Sequence, residues 1–171
     1  MNESAPHIRL RAMEPEDLDL LYRIENDPAL WSVGATNVPY SRYTLHEYVA
    51  TASGDIYADK QVRMMIENED GDTVGIVDIV NFDPSHRRAE VGLIILNAFR
   101  RQGYACGALR LVADYALNVL HLHQLFAFID VTNTASVSLF CKAGYRETAR
   151  LADWLYDGRE YHDALMVQLV F

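Results

Sequence analysis

The chain has 171 residues, half of them apolar, with a formal net charge of -9 at neutral pH. That length and apolar content suit one domain, residues 1–171, with a sizeable core, and exclude a disordered segment. The acidity excludes nucleic acid as a partner, because phosphate backbones demand a basic footprint; no run approaches the ~18 apolar residues of a membrane span, and the polar N-terminus carries no signal peptide or lipidation signature, so no membrane partner is expected and the protein reads as cytoplasmic.

Residues 7–13 read as a strand ended by Glu14-Pro15. Glu16, Asp17 and Leu18 open an amphipathic helix with Leu18, Leu21, Tyr22 and Ile24 on its buried side, and Asn26-Asp27-Pro28 stops it. Residues 31–40 lack periodicity and read as a loop of the substrate cleft. A second helix is predicted over 41–53, with Tyr43 or Leu45, Tyr48, Val49 and Ala52 as its apolar side. Strands over 61–67 and 73–80 flank the turn Glu69-Asp70-Gly71-Asp72, a hairpin signal. After Asp83-Pro84-Ser85 come a strand over 89–96 and a helix over 106–120, whose Leu109, Val112, Ala116 and Val119 face a sheet. A strand over 125–131 leads to a helix over 134–142, capped by Thr132 or Asn133 and ended at Ala143-Gly144. Strands over 145–155 and 161–170 close the chain as a hairpin around Asp157-Gly158. A β-α-β-α-β centre between two hairpins predicts an α+β or α/β fold with a mixed sheet.

The stretch from Glu90 to Gly107, EVGLIILNAFRRQGYACG, organises the rest. The apolar run 91–96 is that of a buried strand, and Arg100, Gly103 and Ala105 follow in an R-x-x-G-x-A spacing before a helix. Strand, glycine turn and helix start make an anion site: orphan amides point outward, the dipole favours negative charge, and small residues let a phosphate approach the backbone. Arg100 and Arg101 add charge. The spacing fits neither a P-loop nor a dinucleotide fingerprint. An ordinary strand-to-helix turn, with glycine for tightness, is the alternative reading of these six residues alone.

That loop is similar to the pyrophosphate loop of the GNAT family of N-acetyltransferases, which bind acetyl-CoA. His86-Arg87-Arg88-Ala89-Glu90, the apolar strand, Asp114-Tyr115, Val119-Leu120, Asp130, Asn133 and Lys142-x-Gly144-Tyr145 resemble the bacterial spermidine N-acetyltransferases most, with ribosomal-protein-alanine acetyltransferases next. The resemblance implies a mostly antiparallel sheet with a splayed parallel pair, flanked by helices. It implies that Leu93, Ile94, Ile95 and Leu96 meet the acetyl and pantetheine portion. By the same resemblance the loop Arg100, Arg101, Gln102, Gly103, Tyr104, Ala105 and Cys106 receives the pyrophosphate. Asn133 and Ser136 lie along the pantetheine arm, Asn133 serving also, or instead, as helix cap.

Two departures bear on the acceptor. Phe140 stands where the spermidine enzymes carry a tyrosine proposed as general acid, beside the cofactor thiol, and Asn37 and Val38 stand where they carry an acidic pair before the Pro-Tyr matched by Pro39-Tyr40. The implied function is acetyl transfer from acetyl-CoA to a small-molecule primary amine, a polyamine such as spermidine first. The alternatives are a protein N-terminal amine and a non-catalytic CoA-binding module. A homo-oligomer is compatible with this reading.

An alkylammonium, with a pKa of about 10.4, must lose a proton before attacking a thioester. Glu90 is the candidate base, because it opens the strand that meets the acetyl group; the alternatives are an ion pair with Arg87 or Arg88 and a residue that only positions water. A strand N–H would hold the oxyanion. A thiol of pKa about 8.5 leaves as a tolerable thiolate; without the tyrosine acid the options are slower turnover, another donor such as Tyr145, or a proton returned by the substrate ammonium. Cys141, with no His and carboxylate partner in view, and Cys106 read as ordinary free thiols. His121 and His123 lack further ligands, so no metal is expected. Tyr40, Tyr43, Tyr48 and Tyr57 line an amine pocket or, more simply, pack helices.

Overall fold

The computed structural model describes residues 6–30 and 38–171. Seven strands form one sheet in the order β1-β2-β3-β4-β5-β7-β6: β1 Ile8–Ala12, β2 Val62–Asn68, β3 Thr73–Asp83, β4 Arg88–Ile95, β5 Gln124–Asp130, β6 Arg146–Tyr156 and β7 Tyr161–Val170. Every neighbouring pair is antiparallel except β4 with β5. The expected mixed sheet with one parallel pair is therefore the fold.

Alternation along the strands divides the apolar residues between two layers. Ile79, Ala89, Val91, Ile95, Leu125, Ala127, Ile129 and Val167 point to one face, where α4 (Tyr104–Asn118) and α5 (Thr134–Lys142) lie. On the other face Met65, Ile76 and Ile94 meet Leu21 and Ile24 of α1 (Leu18–Glu25) and Leu45 of α2 (Arg42–Thr51). Leu45, not Tyr43, is the inward residue of α2; Tyr43 is 74% exposed. Helix α2 starts at Arg42 because the Ser41 hydroxyl accepts from the Thr44 amide, and it ends at Thr51, which leaves Ala52 exposed as its C-cap.

Three further boundaries differ from the reading of the chain. A short helix α3 (Ile56–Asp59) precedes β2, nucleated where the Asp55 carboxylate accepts from the Tyr57 amide. The helix expected over 106–120 begins at Tyr104, since Gly103 at φ +86° is its N-cap, and it ends at Asn118; Val119 is its C-cap and is exposed. Strand β3 continues to Asp83, past the end predicted at residue 80, through a register break between Val80 and Asp83. The loop predicted over 31–40 lies largely outside the described residues, as does Asn37.

Two polar groups hold the layers together. Arg11 of β1 donates to both Asp17 oxygens, at 2.7 and 2.8 Å, and to Glu67 of β2 at 2.6 Å. Arg63 of β2 grips Asp78 of β3 through Nε and Nη2 and reaches Glu25 of α1. At Gly75, opposite Ile95, a Cβ would run into the Ile94 carbonyl oxygen, so glycine lets β3 close on β4 there. No helix among the described residues is long and apolar enough to cross a membrane.

Candidate active site

Strands β4 and β5 pair only over Arg88–Glu90 with Gln124–Phe126. Beyond that point β4 stays with β3 as far as Ile95, β5 stays with β7 as far as Asp130, and the two part. The Leu96 amide donates to Val74, so Leu96 and Ile94 turn their peptide groups toward β3. By alternation Leu93 and Ile95 turn theirs into the opening. The Ile95 carbonyl accepts from Arg100 Nε at 3.1 Å; Leu93 and the Ile95 N–H face the opening with no partner from β5. Sequence reasoning placed all of 93–96 against the cofactor. The register gives Leu93 and Ile95 that edge, while Ile94 and Leu96 face β3 and the α1 layer.

At the head of the opening a tight turn, with Arg101 at φ +61° and Gly103 at φ +86°, leads into α4. The first helical bond runs from the Gly107 amide to the Gly103 carbonyl. Among the described residues the amides of Arg101, Gln102, Gly103, Tyr104, Ala105 and Cys106 donate to no protein group, as an anion-binding turn requires. Arg101 is exposed, and Gln102 ties back to Ala98 through its side chain. A groove of about 390 Å³ adjoins the turn, lined by Ile94, Ile95, Leu96 and Arg100 and, from α1, by Leu20 and Arg23. Arg23 was not foreseen from the chain; a lone arginine on a short helix gives no local signal of what it will face.

The positive φ at Gly103 leads to an expected result. Gly103→Val places a β-branched residue in the left-handed region, at a cost of roughly 1–2 kcal/mol, and a Cβ there meets Pro6 Cδ at 2.9 Å. The cradle cannot keep its shape, so calorimetry should show CoA affinity reduced about tenfold or more. Unchanged affinity would remove the loop from the binding site.

On the α5 side, Asn133 Oδ1 accepts from the Ser136 amide at 3.1 Å, so Asn133 is the helix cap, and among the described residues its Nδ2 carries no protein partner. Phe140 is buried and meets Tyr145 edge-on, with ring centroids 5.0 Å apart. The Tyr145 hydroxyl is buried and among the described residues has no hydrogen-bond partner, and burial holds its pKa well above the ordinary phenol value. Cys141 is exposed and Cys106 half-buried, both free.

On the α1 side of the sheet, Glu90 stands opposite Val80 and beside Phe126. The predicted alternative, an ion pair with Arg87 or Arg88, does not form: Arg87 donates to the His121 carbonyl and Arg88 meets Asp83 at 3.3 Å. Glu90 Oε2 instead accepts from Asn81 Nδ2 at 2.7 Å. Two residues on, Gly92 is exposed and a Cβ there would have nothing within 4 Å, so the face beside Glu90 is open. The tyrosines divide: Tyr40 and Tyr48 pack against the α1 layer, whereas Tyr43 and Tyr57 are exposed. Among the described residues His121 and His123 join no ligand cluster, whereas Asp157, Glu160 and His162, at the β6–β7 turn, bring their ligand atoms within 4.8 Å of one another.

The pattern of the acetyltransferase (GNAT) domain matches residues 7–146. The spermidine N(1)-acetyltransferase of Escherichia coli (strain K12) is 29% identical over 168 residues, 95% of this chain and 85% of that one. The protein named ribosomal N-acetyltransferase YdaF of Bacillus subtilis (strain 168) is 29% identical over 168 residues, 96% of this chain and 91% of that one. The crystal structure of spermidine N-acetyltransferase from Vibrio cholerae in complex with CoA and spermine superposes with a TM-score of 0.84 at 24% identity, covering 95% of each chain. Another structure of the Vibrio cholerae enzyme is a complex with manganese ions. With the domain pattern spanning most of its length, the chain belongs to the GNAT family of acetyl-CoA-dependent N-acetyltransferases.

Proposed function

We propose that the acceptor is a polyamine, spermidine first, acetylated on a primary amine in the cytoplasm. The observation that carries the reading is the β4–β5 opening, whose one end is a cradle for a diphosphate and whose side, at Gly92, is open next to a carboxylate. The pantetheine arm of acetyl-CoA enters beside Leu93 and Ile95, with Asn133 Nδ2 and Ser136 along it and the pyrophosphate on residues 101–106. Glu90 takes a proton from the acceptor ammonium, directly or through water. The amine lone pair then forms the C–N bond, the oxyanion is held by a strand N–H at Leu93 or Ile95, and the C–S bond breaks with its electron pair on sulfur.

Phe140 cannot protonate that sulfur. Tyr145 holds its proton too tightly to release it to a thiolate, so its role is to donate a hydrogen bond, with the proton arriving from the acceptor amine or solvent. A buried hydroxyl without a partner costs about 1–3 kcal/mol, which leaves Tyr145→Phe two opposed effects. Its melting temperature without ligand should equal or exceed that of the parent, while turnover falls several-fold. Loss of stability without loss of turnover would show that the hydroxyl serves packing alone.

Thiol release from acetyl-CoA, measured across spermidine, spermine, diamines and an alanine-ended peptide, tests the acceptor. Turnover on polyamines supports the proposal. Preference for the peptide supports acetylation of protein N-termini, which YdaF and the departures at Phe140 and Val38 favour as the second reading. CoA binding without turnover on any acceptor overturns both.

A further inference from the structure

We propose that Asn81 is a positioning residue for Glu90, which fixes one carboxylate oxygen and leaves the other for the acceptor proton; this rests on the reading of Glu90 as base. The backbone puts Asn81 there by an irregularity. Register between β3 and β4 breaks between Val80 and Asp83, and within the break Asn81 adopts φ +50°. Asparagine is among the few side-chain-bearing residues that enter the left-handed region readily. The outcome is the 2.7 Å bond from Asn81 Nδ2 to Glu90 Oε2. Among the described residues Glu90 Oε1 has no protein partner.

Among the described residues that amide is the one donor acting on the carboxylate. On β4, Arg88 turns to Asp83, which also holds His86; in the preceding turn Arg87 turns to the His121 carbonyl. On β3, Asp78, opposite Gly92, is paired with Arg63, which also meets Glu25 of α1. Strand β5 presents Phe126 beside Glu90, with Phe128 against it at 5.6 Å, and β7 presents Gln168 opposite Phe126. An amide N–H stabilises the ionised carboxylate. Asn81 therefore holds one rotamer of Glu90.

Asn81→Gly removes the amide and keeps the left-handed backbone without penalty, and Asn81→Asp replaces a donor with a like charge. Both are compared with the parent and with Glu90→Gln, by kcat and by KM for acetyl-CoA and for whichever amine turns over. Turnover at pH 7 should fall about threefold or more, with KM for acetyl-CoA unchanged. If Glu90→Gln abolishes turnover while Asn81→Gly keeps the kcat of the parent, the role of Asn81 is overturned and that of Glu90 stands. If Glu90→Gln retains turnover, the base assignment fails and the role of Asn81 fails with it.

Discussion

Glu90→Gln is expected to lower kcat/KM for the amine by about 10²-fold or more at pH 7, while CoA affinity and thermal stability stay near those of the parent. The residue lies at the foot of the opening, clear of the cradle at residues 101–106, so cofactor binding has no contact to lose. Its removal creates no buried unpaired cation, because Arg87 and Arg88 are already engaged elsewhere. What disappears is the acceptor for a proton on an amine whose own pKa is about 10.4. Without it, reaction depends on the small fraction of amine already neutral, so the variant's rate should climb about tenfold per pH unit toward the pKa of the amine. A variant whose rate stays within about threefold of the parent, with no such climb, would move the proton transfer to another group.

Arg11→Ala should be the most damaging single change to stability outside the apolar core. The guanidinium bridges β1, β2 and the turn before α1, donating to Asp17, Glu67 and the Thr73 hydroxyl. Asp17 and Glu67 are each 7% exposed, and both carboxylates are held below their ordinary pKa values chiefly by the hydrogen bond from Arg11. Breaking a fully buried pair costs about 3–5 kcal/mol, and with the arginine side chain 24% exposed the loss at the Asp17 contact should be about 2 kcal/mol. For a chain of this length that lowers the melting temperature by about 5 °C. The sign with pH follows from the depressed values. The stabilisation is complete above the unfolded carboxyl pKa values, about 3.9–4.3, and disappears as pH falls through the lower folded ones. Parent and variant should differ most near neutrality and converge in acid, so a gap that stays constant down to about pH 2 would rule out the ion pairs as its source.

Signals carried within a few residues were legible in the chain. The Asn133 cap opens α5 where a hydrogen-bonding side chain precedes an apolar run, and the glycine turn before α4 supplies the cradle. Signals that depend on which strands face one another were not. Nothing in Val80-Asn81-Phe82 announces a register break, so the reading ended the strand there and left Asn81 out of the site. Register likewise decides that Glu90 meets Asn81 and not a neighbouring arginine, and that Leu93 and Ile95, within the run 93–96, face the opening. The helix start was placed two residues late because periodicity locates the buried face of a helix, whereas its first residue is set by the backbone angle of Gly103. Val119 was assigned to the buried face on spacing, which ceases to hold once the helix ends at Asn118.

The three-residue pairing of β4 with β5 gives the molecule a mechanical character. Four strands lie on one side of that seam and three on the other, and the backbone bonds that would knit them stop at Glu90 and Phe126. In the arrangement proposed above, the amide groups of the incoming pantetheine take the place of the absent rungs, so the substrate mends the sheet for as long as it stays. Departure of spent CoA then unzips what its arrival had sewn, and the rigidity of the two leaves tracks the catalytic cycle.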